Sequence, residues 1–87
     1  MIPFKQEKIG NNIVRTFSDQ MDQEDYYWHK DRDDRIITIL SCGSGWEYQE
    51  DDNIPIKLVK GLIFKIPKET WHRVIKGSGD LVINIEV

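Results

Sequence analysis

His29 and His72 are the only two histidines in the chain, and Asp31 lies two residues after the first of them. Alternate side chains of an extended strand point to the same face, so His29 and Asp31 share a face if this segment is a strand. An imidazole beside a carboxylate is a donor set that binds divalent metals. The competing interpretation is that the charged run from Asp31 to Arg35 curves into a loop, which would turn Asp31 outward and leave His29 half-buried.

Aromatic residues are frequent near these positions in the sequence. A cavity with aromatic walls and a few convergent polar groups is typical of a small-ligand site, and we expect Trp46, Tyr48 and Arg73 to contact a ligand there. In a barrel this small large rings must also fill the interior, so packing is the competing role for Trp46 and Trp71. The aromatic residues concerned are Tyr26, Tyr27, Trp28, Trp46, Tyr48, Phe64 and Trp71.

The elements that must position these side chains are predicted to be strands. Gly and Pro interrupt the chain at short intervals, and the segments between them are rich in β-branched and aromatic residues. The glycine pairs in segments 41–45 and 76–80 predict hairpin turns, and the polar segment 18–24 could hold a short helical turn. The predicted strands are Ile13–Phe17, Asp25–Lys30, Arg35–Ser41, Trp46–Gln49, Ile56–Val59, Leu62–Ile66, Trp71–Ile75 and Leu81–Val87.

These strands predict an all-β sandwich or barrel that forms one domain over residues 1–87. Strand pattern alone does not separate a jelly roll from an SH3-like barrel or an OB-fold. A domain of this size buries only roughly 60 to 65% of the surface of its unfolded chain, so self-association is expected.

Charge and composition exclude several classes of partner. The net charge of −3 is the wrong sign for a nucleic-acid-binding domain, which needs clustered Lys and Arg. No apolar run is long enough to span a membrane, and the first five residues lack the apolar stretch of a signal peptide, so we expect a cytoplasmic protein with no membrane partner. Cys42 is the only cysteine; it forms no intrachain disulfide and is expected to be a small buried residue.

The stretch from Gly61 to His72 resembles the second sequence motif of the cupin family. In that motif a glycine is followed by five residues, a proline, one residue, a glycine, two residues and a histidine. Gly61, Pro67 and His72 match this pattern, whereas Glu69 stands where the family usually has its second glycine. Lys76 replaces the asparagine that often follows.

Upstream, His29 and Asp31 together with Arg35 and Gly43 resemble a degraded first cupin motif. The family pattern there is His-x-His, a short gap, Glu, and a glycine after a strand. Asp31 therefore stands for the second histidine and Arg35 for the glutamate. Gly43 falls one residue late. The resemblance covers residues 26–85, with a short inter-motif segment of the kind found in minimal cupins.

The resemblance implies a double-stranded β-helix of the jelly-roll class that is commonly a homodimer. In the cupin register His72 lies opposite His29 and Asp31, and these three residues would form a facial triad that suits Fe, Mn, Ni or Zn. Arg35 would then receive a carboxylate or phosphate group of a substrate. Against a metal, the Arg35 guanidinium would repel the cation and compete for Asp31.

Three functional classes remain open from the sequence. The first is a metal-dependent enzyme, such as an oxygenase or isomerase, that acts on a small polar molecule inside the barrel. The second is a metal-free binding or regulatory module that keeps the cupin shape. The third is a structural protein whose cavity is filled by its own side chains. No residue selects a reaction, and many unrelated functions share this fold.

Overall fold

The structure, a computed structural model, describes residues 4–87. Within this range the chain forms strands and a single short 3-10 turn, Gln23–Asp25. The strands are β1 (Phe4–Ile9), β2 (Asn12–Phe17), β3 (Arg35–Ser44), β4 (Glu47–Glu50), β5 (Ile56–Lys57), β6 (Ile63–Ile66), β7 (His72–Ile75) and β8 (Ser78–Glu86).

Two antiparallel sheets make up the fold. The larger sheet has the strand order β1-β2-β8-β3-β6, and the smaller sheet has the order β5-β4-β7. The long strand β8 is the centre of the larger sheet, since it pairs with β2 on one side and with β3 on the other. Because side chains alternate along each strand, β8 places Leu81, Ile83 and Ile85 on its buried face.

The core lies between the sheets and takes residues from both. Trp46, in the short link between β3 and β4, is fully buried, and its Nε1–H donates a hydrogen bond of 2.9 Å to the carbonyl of Gly79. The rings of Phe17 and Tyr26 pack against it at centroid distances of 6.5 and 5.8 Å. Burial of one large indole whose N–H is satisfied stabilises a core at little polar cost.

The all-β prediction is confirmed, and seven of the eight predicted strands overlap observed strands. The prediction of a strand over Asp25–Lys30 is wrong, because only His29 in this segment makes a strand-like bridge. Strand β1 was missed since its middle, Lys5 to Lys8, is polar and exposed, as suits the edge of a sheet. Residues 1–3, on which the expectation about a signal peptide partly rests, lie outside the described residues.

Both glycine-rich segments are corners between the two sheets and not the hairpins that the sequence predicted. Strand β3 pairs in the larger sheet and β4 in the smaller one, and β7 and β8 are divided in the same way. The two corners cross at close range, because a Cβ on Gly43 would lie 1.8 Å from the carbonyl oxygen of Ser78. A Cβ on Gly77 would lie 2.3 Å from the carbonyl oxygen of Ser44. Glycine is therefore needed here for backbone contact.

No helix in the described part of the chain has the length and apolar character needed to cross a membrane. Cys42 is half-buried and its thiol lies 3.4 Å from the carbonyl oxygen of Leu58. Burial raises the pKa of this thiol above its usual value.

Replacing Gly43 with alanine should destabilise the protein by at least about 3 kcal/mol, because the new methyl group would overlap the backbone of β8. Gly10→Ala is the matched control: its φ is +62°, which strains an alanine, but nothing lies within 4 Å of the new Cβ. That control should cost only about 1 kcal/mol. Urea unfolding measures both values, and equal losses would contradict the close crossing of the corners.

Stability should also depend on Asp19 in a pH-dependent way. Its carboxylate accepts a hydrogen bond of 2.6 Å from the backbone N–H of Gly79, and this bond lowers the pKa of Asp19. A carboxyl whose folded pKa is depressed contributes stability above its unfolded pKa, about 4, and loses it as the pH falls through the folded pKa. Asp19→Ala should therefore lower the Tm at pH 7, and the difference from wild type should shrink toward pH 2.

The control for this prediction is Asp33→Ala, because the exposed Asp33 side chain makes no hydrogen bond or ion pair within residues 4–87. A Tm difference for Asp19→Ala that stays constant with pH, or that matches the control, would rule out the proposed role of this hydrogen bond.

Candidate metal centre and its cavity

A backbone bridge brings His29 and His72 together. The N–H of His29 donates to the carbonyl of His72 at 3.0 Å, and the N–H of His72 donates back to the carbonyl of His29 at 2.8 Å. Residues that exchange both bonds in an antiparallel pair lie directly opposite, with their side chains on one face. The two imidazole rings accordingly lie side by side, with centroids 4.3 Å apart.

Asp31 is held by the loop that follows this bridge. Its carbonyl accepts a hydrogen bond of 2.7 Å from the N–H of Glu69, and Asp34 accepts one of 2.8 Å from the N–H of Lys68. These bonds fasten the loop to the turn between β6 and β7. The Asp31 side chain therefore stays on the same side as the two imidazoles and does not turn out to solvent: it is only 13% exposed.

The structure brings together the three side chains that the sequence predicted as metal ligands. One ligand atom from each of His29, Asp31 and His72 lies within 4.8 Å of the others. The Nε2 atom of His72 is 3.3 Å from Oδ2 of Asp31, and Nε2 of His29 is 4.0 Å from Oδ1. Metal–ligand bonds of about 2.1 Å would bring such atoms to roughly 3 Å from one another, so small side-chain rotations are sufficient.

Backbone carbonyls fix which nitrogen of each imidazole carries the proton. Nδ1 of His72 lies 2.8 Å from the carbonyl oxygen of Thr70, and Nδ1 of His29 lies 3.2 Å from that of Tyr27. A carbonyl oxygen only accepts, so Nδ1 must donate in both rings. In a neutral ring Nε2 is then a lone pair, and both lone pairs face the cluster.

The electrostatics of the cluster favour a neutral His72. Burial lowers the pKa of His72, and His29 and Arg35 act in the same direction, while the Thr70 carbonyl and Asp31 act in the opposite one. In the neutral His72 ring the Nε2 lone pair faces the Asp31 carboxylate, whose Oδ2 is buried without a hydrogen-bond partner within residues 4–87. Such a donor set fits a divalent metal ion.

Arg35 lies at the start of β3, and its Nη2 atom is 3.5 Å from Oδ1 of Asp31. The ion pair that competes with a metal is therefore present. Nε of Arg35 is buried and has no hydrogen-bond partner within residues 4–87. The guanidinium thus neutralises Asp31 and keeps an unused donor.

The cluster lies on the wall of a cavity of about 300 Å³ between the two sheets. Most of the wall is apolar, with the largest share from β3, β6 and β8, and the hydrophilic residues are few. The hydrophilic lining residues are Arg15, Asp25, His29, Asp31, Arg35 and His72. An apolar cavity with a few converging polar groups has the character of a small-ligand site.

Tyr48 lies on this wall, whereas Trp46 and Arg73 do not. The ring of Tyr48 is 5.8 Å from that of His72, and its hydroxyl donates to Glu50. Trp46 is fully buried in the core, as described above. Arg73 follows the inward His72 in β7 and points the other way, where it covers the ring of Trp28 at 4.7 Å. Neither position supports the predicted ligand contact.

Arg15 is a cavity residue that sequence analysis missed. It lies in β2, and its guanidinium donates to Oε1 of Gln6 and lies 4.0 Å above the ring of Phe4. Burial lowers its pKa to about 10, with Arg35 acting in the same direction and Asp31 in the opposite one. Strand alternation was the available signal, because Ile13, Arg15 and Phe17 share a face of a predicted strand.

The departure at Glu69 changes the side chain and not the backbone conformation. Its φ of +59° is in the left-handed region that favours glycine. The backbone thus keeps the shape of the resembled motif, although a side chain with a Cβ occupies the position. Glu69 also pairs with Lys30 at 3.4 Å on the exposed side of the turn.

Comparison with known proteins gives little at the level of sequence. No family model matches the chain. One curated protein, Pumilio homology domain family member 6 of Saccharomyces cerevisiae, is 28% identical over 74 residues, which are 85% of this chain. The chain spans only 11% of that protein's length. A match to so small a part of that protein transfers no role to this chain.

Solved structures give a clear likeness in fold. A cupin domain from Bordetella pertussis Tohama I superimposes with a TM-score of 0.64 at 16% identity, covering 95% of this chain and 88% of that one. A cupin-2 domain protein from Shewanella frigidimarina NCIMB 400 gives a TM-score of 0.62 at 17% identity, covering 95% and 78%. Co(II) HppE in complex with substrate gives 0.61 at 14% identity, covering 87% of this chain and 43% of that one.

Sequence identities this low support a shared fold and do not support a shared activity. Three observations agree: the two facing antiparallel sheets, the segment from Gly61 to His72, and superposition of 95% of this chain on cupin domains. The resemblance noted from Gly61, Pro67 and His72 is therefore confirmed: the chain has the cupin fold.

Proposed function

We propose that this protein binds one divalent transition metal through His29, Asp31 and His72 and takes a small molecule in the cavity beside it. The observation that carries the proposal is the arrangement of the donors. Both Nδ1 atoms are engaged by backbone carbonyls, so both Nε2 lone pairs face the carboxylate of Asp31. That arrangement offers three donor atoms to one divalent cation.

The donor types narrow the choice of metal. Two imidazoles and one carboxylate suit Fe(II), Mn(II), Ni(II) or Zn(II), and they are unlike the all-oxygen sets that hold Ca²⁺ or Mg²⁺. One structural neighbour, HppE, has been described with Co(II) and with Fe(II), although the likeness to it is one of fold. The donor set of this chain therefore supports the proposal independently of that neighbour.

The residues around the centre define what the site would do with a bound metal. When bound, the metal would supply Lewis acidity to a small molecule in the cavity. Arg35 would orient an anionic group, Tyr48 would shape the wall next to His72, and the apolar residues would exclude water. Such a site can serve an enzyme that acts on a small molecule.

A metal-free binding module is the second candidate, and the Arg35 ion pair favours it. The guanidinium already neutralises Asp31 at 3.5 Å, and a cation at the centre would have to tolerate this neighbour. In this alternative the cavity binds its ligand through arginine and aromatic contacts alone.

Elemental analysis of the untagged protein, purified without chelator, tests the metal. We expect close to one transition-metal ion per chain, and a Tm rise of roughly 10 to 20 °C when the metal-depleted protein is given Zn(II) or Co(II) at about a hundred times its Kd. Asp31→Asn keeps the side-chain shape but removes the anionic ligand, so it should lose the metal and the Tm rise.

The matched control is Arg73→Gln, which changes the residue next to His72 but points away from the cavity. This variant should bind metal as wild type does. Metal content that survives in both Asp31→Asn and His29→Ala would overturn the proposed ligand set, and no uptake by the wild-type protein after reconstitution would favour the metal-free module.

The homodimer that the cupin resemblance implies is part of the same proposal. Exposed apolar side chains on the outer side of the larger sheet, Ile36, Leu40 and Ile63, support it. Light scattering after size-exclusion chromatography should give twice the mass of one chain, and a monomer at all concentrations would refute it.

A further inference from the structure

Two arginines point into one cavity from the same sheet, Arg15 from β2 and Arg35 from β3. Positions beside them on these inward faces carry apolar residues such as Phe17 and Ile37. A guanidinium on an inward face loses hydration, which is costly unless the charge has a partner. We therefore expect each arginine to have an anionic partner that offsets this cost.

The partners within the described chain are incomplete. Arg15 donates only to the neutral amide oxygen of Gln6 and makes no ion pair within residues 4–87. Arg35 pairs with Asp31, yet its buried Nε has no partner. Asp25 also lines the cavity, but its carboxylate accepts the N–H of Asp22 in the 3-10 turn and pairs with neither arginine.

Metal binding would leave the two arginines with even less negative charge to pair with. Within residues 4–87 Asp31 is the only carboxylate that forms an ion pair with Arg35, and it is also a proposed metal ligand. A divalent ion bound there would share Asp31 and leave both guanidinium groups uncompensated. The pKa of Arg15 is lowered first by burial and next by Arg35, and Asp31 opposes this only in part, which is consistent with a guanidinium that has no anionic partner of its own.

We propose that the cavity binds a small organic anion, with Arg15 and Arg35 as two anchors for its carboxylate or phosphate group and the apolar wall around its hydrocarbon or aromatic part. Guanidinium groups match carboxylate and phosphate oxygens in pairs of hydrogen bonds, which favours this class of ligand over neutral sugars. The volume of about 300 Å³ suits a molecule the size of a substituted benzoate.

The proposal deepens the proposed function, because it assigns the ligand class of the same cavity, but the anion site does not require the metal. Arg15 is a specificity residue in this view. The competing role for Arg15 is structural: it would close the cavity by packing on Phe4 and bonding to Gln6.

Calorimetry with benzoate and its neutral isostere benzamide, on metal-depleted and on Zn(II)-treated protein, tests the anion site. Phenyl phosphate serves as a second anionic probe. We expect benzoate or phenyl phosphate to bind at least about tenfold more tightly than benzamide. Arg15→Gln should weaken anion binding about tenfold to a hundredfold, as loss of charge-assisted hydrogen bonds predicts. Arg15→Lys keeps the charge and should lie between the two.

Arg73→Gln is again the matched control, because it removes the same charge from the outer surface and should leave anion affinity unchanged. Circular dichroism and Tm establish that each variant is folded. Equal affinity for benzoate and benzamide, equal losses in Arg15→Gln and Arg73→Gln, or no binding of either anion would each overturn the anion site.

The outcomes separate this inference from the metal proposal. Anion binding that depends on Arg15 in protein that takes up no metal would support the anion site and refute the metal. Metal uptake by a protein that binds neither anion would do the reverse.

Discussion

The candidate site depends on one reciprocal pair of backbone hydrogen bonds between His29 and His72. Outside this pair, residues 26–34 form no strand pairing, so the bridge is what adds the His29 segment to the smaller sheet. It places the two imidazole rings side by side, and it also fixes the position of Asp31 two residues later. The bridge is a main-chain feature, so it survives exchanges of side chain that would alter the ligands themselves.

Much of the fold was predictable from sequence, because strands and turns leave recognisable residue patterns. Strand alternation and β-branched residues located most strands, and Gly61, Pro67 and His72 located the turn that precedes the second histidine. The corners were misjudged because two glycines between strands are equally compatible with a hairpin and with a crossing between sheets. Only the pairing partners of β3 and β8 distinguish these cases, and those partners are distant in sequence.

The site was predictable in part for the same reason. His29, Asp31 and His72 belong to motifs, whereas Arg15 belongs to none and reaches the cavity through the register of β2 against β8. Trp46 and Arg73 were predicted to contact a ligand because they are close to the candidate site in the sequence. Closeness in sequence does not show which way a side chain points. One position along a strand reverses the side chain, and that reversal puts Arg73 on the outer face beside the inward His72.

The chain has no histidine beyond the two at the cluster. Every imidazole signal that a spectroscopist could record from the untagged protein therefore originates at this centre, with no background to subtract. Ring-proton and ring-nitrogen resonances would report tautomer, protonation and occupancy separately for an inner ring, His72, and a more exposed one, His29. The two imidazoles are therefore natural spectroscopic probes of the candidate metal centre. The signals of a polyhistidine tag would overlap with theirs.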